Sequence, residues 1–267
     1  MDSGLYAACA GLRAQSEALE VVAHNLANLN TTGFRGQQAT FQSLVAASPN
    51  GLGVQTASDA AGNGLSSALN RAANNFGVLE GTHMDMESGG VLTTGNPLDL
   101  AIEGGGFFAI RTAGVIRYTR NGSFRVSSSG QLVTRNGDLV LSDPTLKEKD
   151  KYKDKGINVP PGVVAIASDG TVSVNGAVAG TIGLVEFAPG TPLTAEGESL
   201  IRAPEDSARP VLQPALKQGA LESSNVNSIS SVVSLLAVQR QAEMMQRALS
   251  LFDTEFDRVA TTDLPKV

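Results

Sequence analysis

Hydrophobic positions recur at alternating steps of three and four at both ends of this chain and at steps of two between them. In the C-terminal segment Leu235, Val238, Ala242, Met245, Leu249, Phe252, Phe256 and Val259 form an unbroken a/d heptad seam. Near the N-terminus Leu5, Leu12, Leu19 and Leu26 fall every seventh residue, with Ala8, Gln15, Val22 and Leu29 at the companion positions. A stripe this narrow cannot bury itself on one helix. The pattern therefore predicts terminal helices that form a coiled coil, facing each other or the same helices of other copies. The first helix is expected from Asp2 or Ser3 to about Asn28, where Asn30-Thr31-Thr32-Gly33 stops it. The second is expected to begin with Asn225 or Asn227 as N-cap.

Between the helices the period falls to two, predicting a mainly β body. Short β-branched or aromatic runs separated by Gly, Pro or Asn read as strands at Leu98–Ile102, Phe107–Arg111, Val115–Thr119, Ser123–Val126 and Gln131–Thr134. Asn136-Gly137 and Asn175-Gly176 read as two-residue hairpin turns, and Asp169-Gly170 as another turn. The organisation predicted is an N-terminal helix and arm at 1–45, a linker at 46–75, an all-β body at 76–203, a return segment at 204–224 and a C-terminal helix at 225–267. The linker is rich in Ala, Gly, Ser and Asn. Pro204, Pro210 and Pro214 predict that the return segment is extended and irregular. The β body is expected to hold together by itself, with the helices ordered only when partners arrive.

Composition narrows the function classes. Of 267 residues 4% are aromatic and 17% charged, with no Trp, which favours strands and helix seams over a deep ligand pocket. A formal net charge of −6 argues against a nucleic-acid partner, whose phosphates need a basic face. The densest charge run, Lys147 to Lys155, alternates in sign and reads as a solvated loop. Cys9, the single cysteine, rules out an intramolecular disulfide and reads as a small buried apolar residue beside the leucine seam. The N-terminus has no basic n-region or apolar h-region, and no apolar run reaches the roughly 18 residues of a membrane span. Glu103-Gly104-Gly105-Gly106 leads into the strand-like FFAIRT rather than a helix, so it reads as a turn and not as a phosphate loop. His24 and His83 lie in different predicted elements, His83 in a turn-like stretch, and neither has a second ligand nearby. No catalytic, metal or cofactor constellation emerges, so no enzyme, cofactor or small-molecule substrate is expected.

Three stretches resemble the flagellar basal-body rod protein family. The first is HNLANLNTTGFRGQQATF, with Asn25, Asn28, Gly33, Phe34 and Phe41 at its motif positions. The second, TGNPLDLAIEGGGFFAIRTAGVIRYTRNGSFRVSSSGQLVTRNG, carries Asn96, Pro97, Gly106 and Phe107. The third, QGALESSNVNSISSVVSLLAVQRQAEMMQRALSLFDTEF, carries Asn225, Asn227, Gln239 and Arg240. Within the family the LYxA-type start and Phe34-Arg35-Gly36-Gln37 look most like the proximal-rod type, with the distal-rod type close behind. Gly105, Ala242, Ser230-Ser231 and the Lys147–Lys155 insertion depart from the family pattern. The resemblance implies a structural axial subunit that polymerises with copies of itself and with other rod or hook subunits. It implies a place in the periplasmic rod, reached by export without a cleaved signal peptide, and a role in carrying torque from motor to hook. The alternatives are a hook-type axial protein, or a β-rich binding module or enzyme. Phe34 is expected to anchor the arm after the first helix on a neighbouring subunit, against the simpler reading that it packs within its own chain.

Overall fold

Helix α1 spans Asp2–Ala27 and stops where Asn28 N–H turns back to Asn25 O. Gly33 follows at φ 66°, the left-handed conformation that a non-glycine residue adopts only at a cost. The computed structural model describes residues 2–45, 75–142, 156–197 and 199–262. After Gly36 the chain forms β1 (Gln37–Val45), which pairs with β2 (Asn75–Met84) in a two-stranded sheet. The sequence reading puts β1 in the arm and all but the first residue of β2 in the β body, without pairing them. The linker proper and the Lys147–Lys155 run lie outside the described residues. No turn signal joins strands so far apart, so local pattern could not match them. His83 falls in β2, not in a turn.

The described residues divide into two compact units, one drawing on residues 1–24, 37–83 and 229–267, the other on residues 25–36 and 84–228. In the second, β3 (Val91–Thr93), β4 (Leu100–Ile102), β5 (Phe107–Thr112), β6 (Val115–Thr119), β7 (Phe124–Val126), β8 (Leu132–Thr134) and β9 (Leu139–Val140) precede the charged run. After it come β10 (Val164–Ile166), β11 (Thr171–Val174), β12 (Ala177–Thr181), β13 (Leu184–Phe187), β14 (Thr194–Glu196), β15 (Leu200–Arg202), β16 (Ala208–Pro210), β17 (Leu216–Gln218) and β18 (Ala220–Glu222). The largest sheet runs β14-β15-β6-β5-β9-β8-β7, with β13 also on β5 and β16 on β13; β10-β11-β12 form a second sheet. All these pairings are antiparallel; short hairpins dictate it for pairs such as β5-β6, β7-β8 and β11-β12.

Turn chemistry sets these registers. At Asn175-Gly176 both residues have positive φ, 52° and 84°, between the paired Val174 and Ala177. This is the two-residue turn the sequence predicts. Asn136-Gly137 differs: Gly137 N–H bonds Thr134 O at 3.0 Å, so Arg135 and Asn136 form the turn and Gly137, at φ 97°, is the left-handed residue after it. Asp169-Gly170 repeats that longer form, with Gly170 N–H on Ala167 O. Glu103–Gly105 is a bend leading into β5, which excludes a phosphate loop at a helix start.

The core is aliphatic with few aromatics. Leu100, Phe108, Ile110, Leu132, Val140, Ile157, Val172, Ile182 and Leu184 form one cluster, while Phe107, Ala109, Leu141, Val185 and Ile201 form another across the sheet. Phe108 meets Phe124 edge-on at 5.0 Å, an arrangement favoured by the ring quadrupoles. The return segment is more regular than its prolines predict. Strand β16 pairs with β13, β17 with β4 and β18 with β3, with Gly219 at φ 73° between the last two. The compact unit takes in residues 25–36 and 84–228, where the sequence reading sets the body at 76–203. Helix α2 spans Ser228–Thr262, directly after Asn227.

Candidate assembly interface

Helix α2 carries two apolar stripes. Ser231, Leu235, Val238, Ala242 and Met245 are its half-covered positions, at steps of four, three, four and three. Another set stays exposed: Ile229 at 76%, Val233 at 61%, Leu236 at 50% and Leu251 at 66%, with Val232 and Met244 beside them. The side chains of Leu249, Phe252 and Phe256 lie outside the described residues, as do those of Leu5 and Phe41. Gln239 and Arg240 are exposed.

On α1 the covered face is rotated by one residue from the leucine seam. Ala14, Ala18 and Val21 are buried, and Gly11 lies on the same face, where an added Cβ would stand 3.0 Å from Met245 Cε. Leu12, Leu19, Val22 and Leu26 are only half-buried. Small side chains let a neighbouring helix come close, and they give that face no hydrophobic signal strong enough to compete with four leucines. Cys9 is exposed, which corrects the expectation that it is buried.

Several family-motif residues of the β-rich unit tie its entering segment, residues 25–36, to its leaving segment, residues 222–228; others bond within its sheets. Gly33 N–H donates to Glu222 O at 2.8 Å. Asn225 accepts from Gly36 N–H at 2.7 Å and donates to Asp85 O and Glu87 O at 3.2 and 2.9 Å. Phe34 is 3% exposed within the single chain, so the packed reading replaces the expected intermolecular anchor. Asn28 Oδ1 accepts from Thr31 Oγ1. Asn96 Nδ2 and Thr94 Oγ1 donate to the buried Asp99 carboxylate, and Gln218 Nε2 donates to Pro97 O. Gly106 has φ 121°, and Phe107 packs against Phe187.

Below these bonds lies a buried charge cluster that the sequence reading missed. Glu222 meets Arg35 Nη2 at 2.9 Å and Arg120 Nη1 at 3.2 Å, and all three side chains are at most 3% exposed. Burial, which penalises the charged form, pulls Arg35 below its ordinary pKa and Arg120 down to about 10, while Glu222 pulls both back up. The three residues sit in separate segments that share no periodicity, so the sequence carried no signal linking them. A polar cleft in the same unit is lined by Asn28, Thr31, Thr32, Asn121, Asp138 and Ser199 among others. Its lining has one carboxylate and no histidine or cysteine, which gives no acid–base pair for catalysis. Among the described residues no group of His, Cys, Asp and Glu could hold a metal ion, and no helix is long and apolar enough to cross a membrane.

Known families match three parts of the chain: residues 5–35 match "Flagella basal body rod protein", 101–174 match "Flagellar hook protein FlgE/F/G D1 domain" and 217–262 match "Flagellar basal body rod FlgEFG protein C-terminal". The chain is 30% identical to the flagellar basal-body rod protein FlgF of Caulobacter vibrioides over 100% of both chains. It is 33% identical to FlgG of the same organism over 93% of this chain and 95% of that one. It is 31% identical to FlgG of Bacillus subtilis over 93% of this chain and 94% of that one. These matches run in chain order through α1, the β-rich unit and α2, so the chain belongs to the flagellar basal-body rod protein family, of the FlgF/FlgG type, and its place is the flagellar basal body.

Proposed function

We propose that this structural subunit polymerises through its terminal helices, in coiled-coil contact with copies of itself and with other rod or hook subunits, and that the resulting shaft carries torque. One observation supports this above the others: α2 keeps Ile229, Val232, Val233 and Leu236 exposed on a single chain while another of its faces is half-covered. Contiguous exposed apolar surface of this kind marks an interaction site. Each Leu or Val buried there would contribute about 2 kcal/mol, repeated at every subunit. Leu12 and Leu19, half-buried on α1, extend the apolar surface available to neighbours. The proximal-rod type is favoured by the N-terminal LYxA start and the Phe34–Gln37 run, and by the FlgF likeness over the full length. The periplasmic location and export without cleavage belong to the same proposal, as does the absence of an enzymatic role, in keeping with relatives named as rod proteins.

The test is the double variant Val233→Asp/Leu236→Asp. The expected result is a purified chain whose β-sheet circular dichroism is unchanged but which fails to enter the rod and leaves cells non-motile. Normal rod incorporation by this variant would overturn the proposal.

A further inference from the structure

We propose that Arg35, Glu222 and Arg120 form a latch that makes folding of the β-rich unit conditional on both of its chain ends, closing only when the Gly33–Gly36 segment and strand β18 dock together. Glu222 is the hub. Its Oε1 faces Arg35 Nη2 at 2.9 Å and accepts from Gly89 N–H at 2.9 Å, while its Oε2 faces Arg120 Nη1 at 3.2 Å. Its backbone oxygen accepts from Gly33 N–H. The two guanidiniums are held by further bonds: Arg35 Nη1 donates to Glu87 O, Arg120 Nη2 to Gly104 O, and Arg120 lies over the Phe107 ring at 5.4 Å. The cluster joins five segments: the incoming turn, the loop before β3, the bend leading into β5, the end of β6 and the outgoing strand.

Its energetics are lopsided. Two cations share one anion in a site that water barely reaches. If β18 is undocked, closing the rest of the site buries both guanidiniums without Glu222, leaving Arg35 only the weaker pull of Asp85. If the incoming segment is undocked, Glu222 loses one cation and the Gly33 donor. An incomplete buried ion cluster is strongly destabilising, whereas replacing a complete one by apolar side chains of similar volume is often neutral. The triad thus penalises partly docked states far more than it stabilises the finished one. That asymmetry ties the two chain ends to the core as a single cooperative unit.

Native-state amide exchange on the full chain tests this. The reporters are Gly33 and Gly89, bonded to Glu222, and the core amides of Leu100 and Leu141, bonded to Gly122 O and Ala109 O. In the natural sequence all four should exchange with similar protection, as members of one cooperative unit do. Gly33 and Gly89 exchanging about 100-fold faster than the core would overturn the latch. Glu222→Gln should lower protection at all four sites together, by about 100-fold or more; loss confined to Gly33 and Gly89 would reduce the triad to a local brace. Should that variant fail to fold, the triple replacement Arg35→Met/Arg120→Met/Glu222→Met decides. It should retain core protection while Gly33, whose acceptor is the backbone oxygen of residue 222, becomes faster than the core. Gly33 still moving with the core amides in the triple variant would place the coupling elsewhere and end the proposal.

Discussion

Gly33 shows how much one backbone position can hold. Its φ of 66° and its N–H bond to Glu222 O are joined by a close approach, since an added Cβ would stand 2.4 Å from the backbone carbon of Arg120. Gly33→Ala therefore combines left-handed strain, about 1–2 kcal/mol, with a clash against main chain that cannot swing away. The expected outcome is a loss of more than about 2 kcal/mol in urea unfolding of the β-rich unit. Ala113 offers the opposite case: it has φ 50°, followed by Gly114 at 84°, between the paired Thr112 and Val115. Asn tolerates that conformation better than Ala, so Ala113→Asn should raise the unfolding midpoint, by a few tenths to about 1 kcal/mol. The turn at Gly33 was legible because Asn-Thr-Thr-Gly is a local stop signal. The partners of Arg35 were not, because a buried pair between residues 35 and 222 leaves no trace in any local window.

At the scale of elements, helices and hairpins were legible because each rests on local chemistry. Helix α1 ends within one residue of the predicted stop, and the Asn175-Gly176 turn takes the predicted form. Strands β1, β17 and β18 were missed because their partners are distant in sequence and their own residues alternate weakly. Within the single chain the covered face of α1 is the one bearing Ala14, Ala18 and Val21, which stands out less in sequence than the leucine seam because alanines carry a weaker hydrophobic signal. This yields a discriminating pair of variants. Ala18, 4% exposed, should not accept a carboxylate in a single chain, whereas the half-buried Leu19 should. Ala18→Glu is therefore expected to lower helical circular dichroism and stability of the monomer, by about 2 kcal/mol or more. Leu19→Glu should cost the monomer about 1 kcal/mol or less and act mainly on assembly. Equal monomer losses would mean that the leucine seam, not the alanine face, is packed within the chain.

For the whole molecule, the domain limits decide which piece can fold alone. A fragment covering 76–203, the body as the alternating pattern delimits it, lacks the strands that pair with β13, β4 and β3. It also lacks both Arg35 and Glu222, leaving Arg120 facing a site built to be buried with no carboxylate in reach. With those segments gone Arg120 is open to water rather than buried, so what the fragment loses is the strand pairing and packing they supply, out of the roughly 5–15 kcal/mol that stabilises a domain. A fragment covering 25–228 restores the three strand pairings, the Asn225 bonds and the complete triad, while omitting nearly all of α1 and α2. The expectation is that 25–228 melts in one cooperative transition and resists limited proteolysis. The shorter fragment should bind a hydrophobic dye and be digested without a stable core. A cooperative melt for 76–203 at the same temperature as for 25–228 would show that the entering and leaving segments contribute nothing to folding of the β-rich unit, and that the limits read from periodicity alone were sufficient.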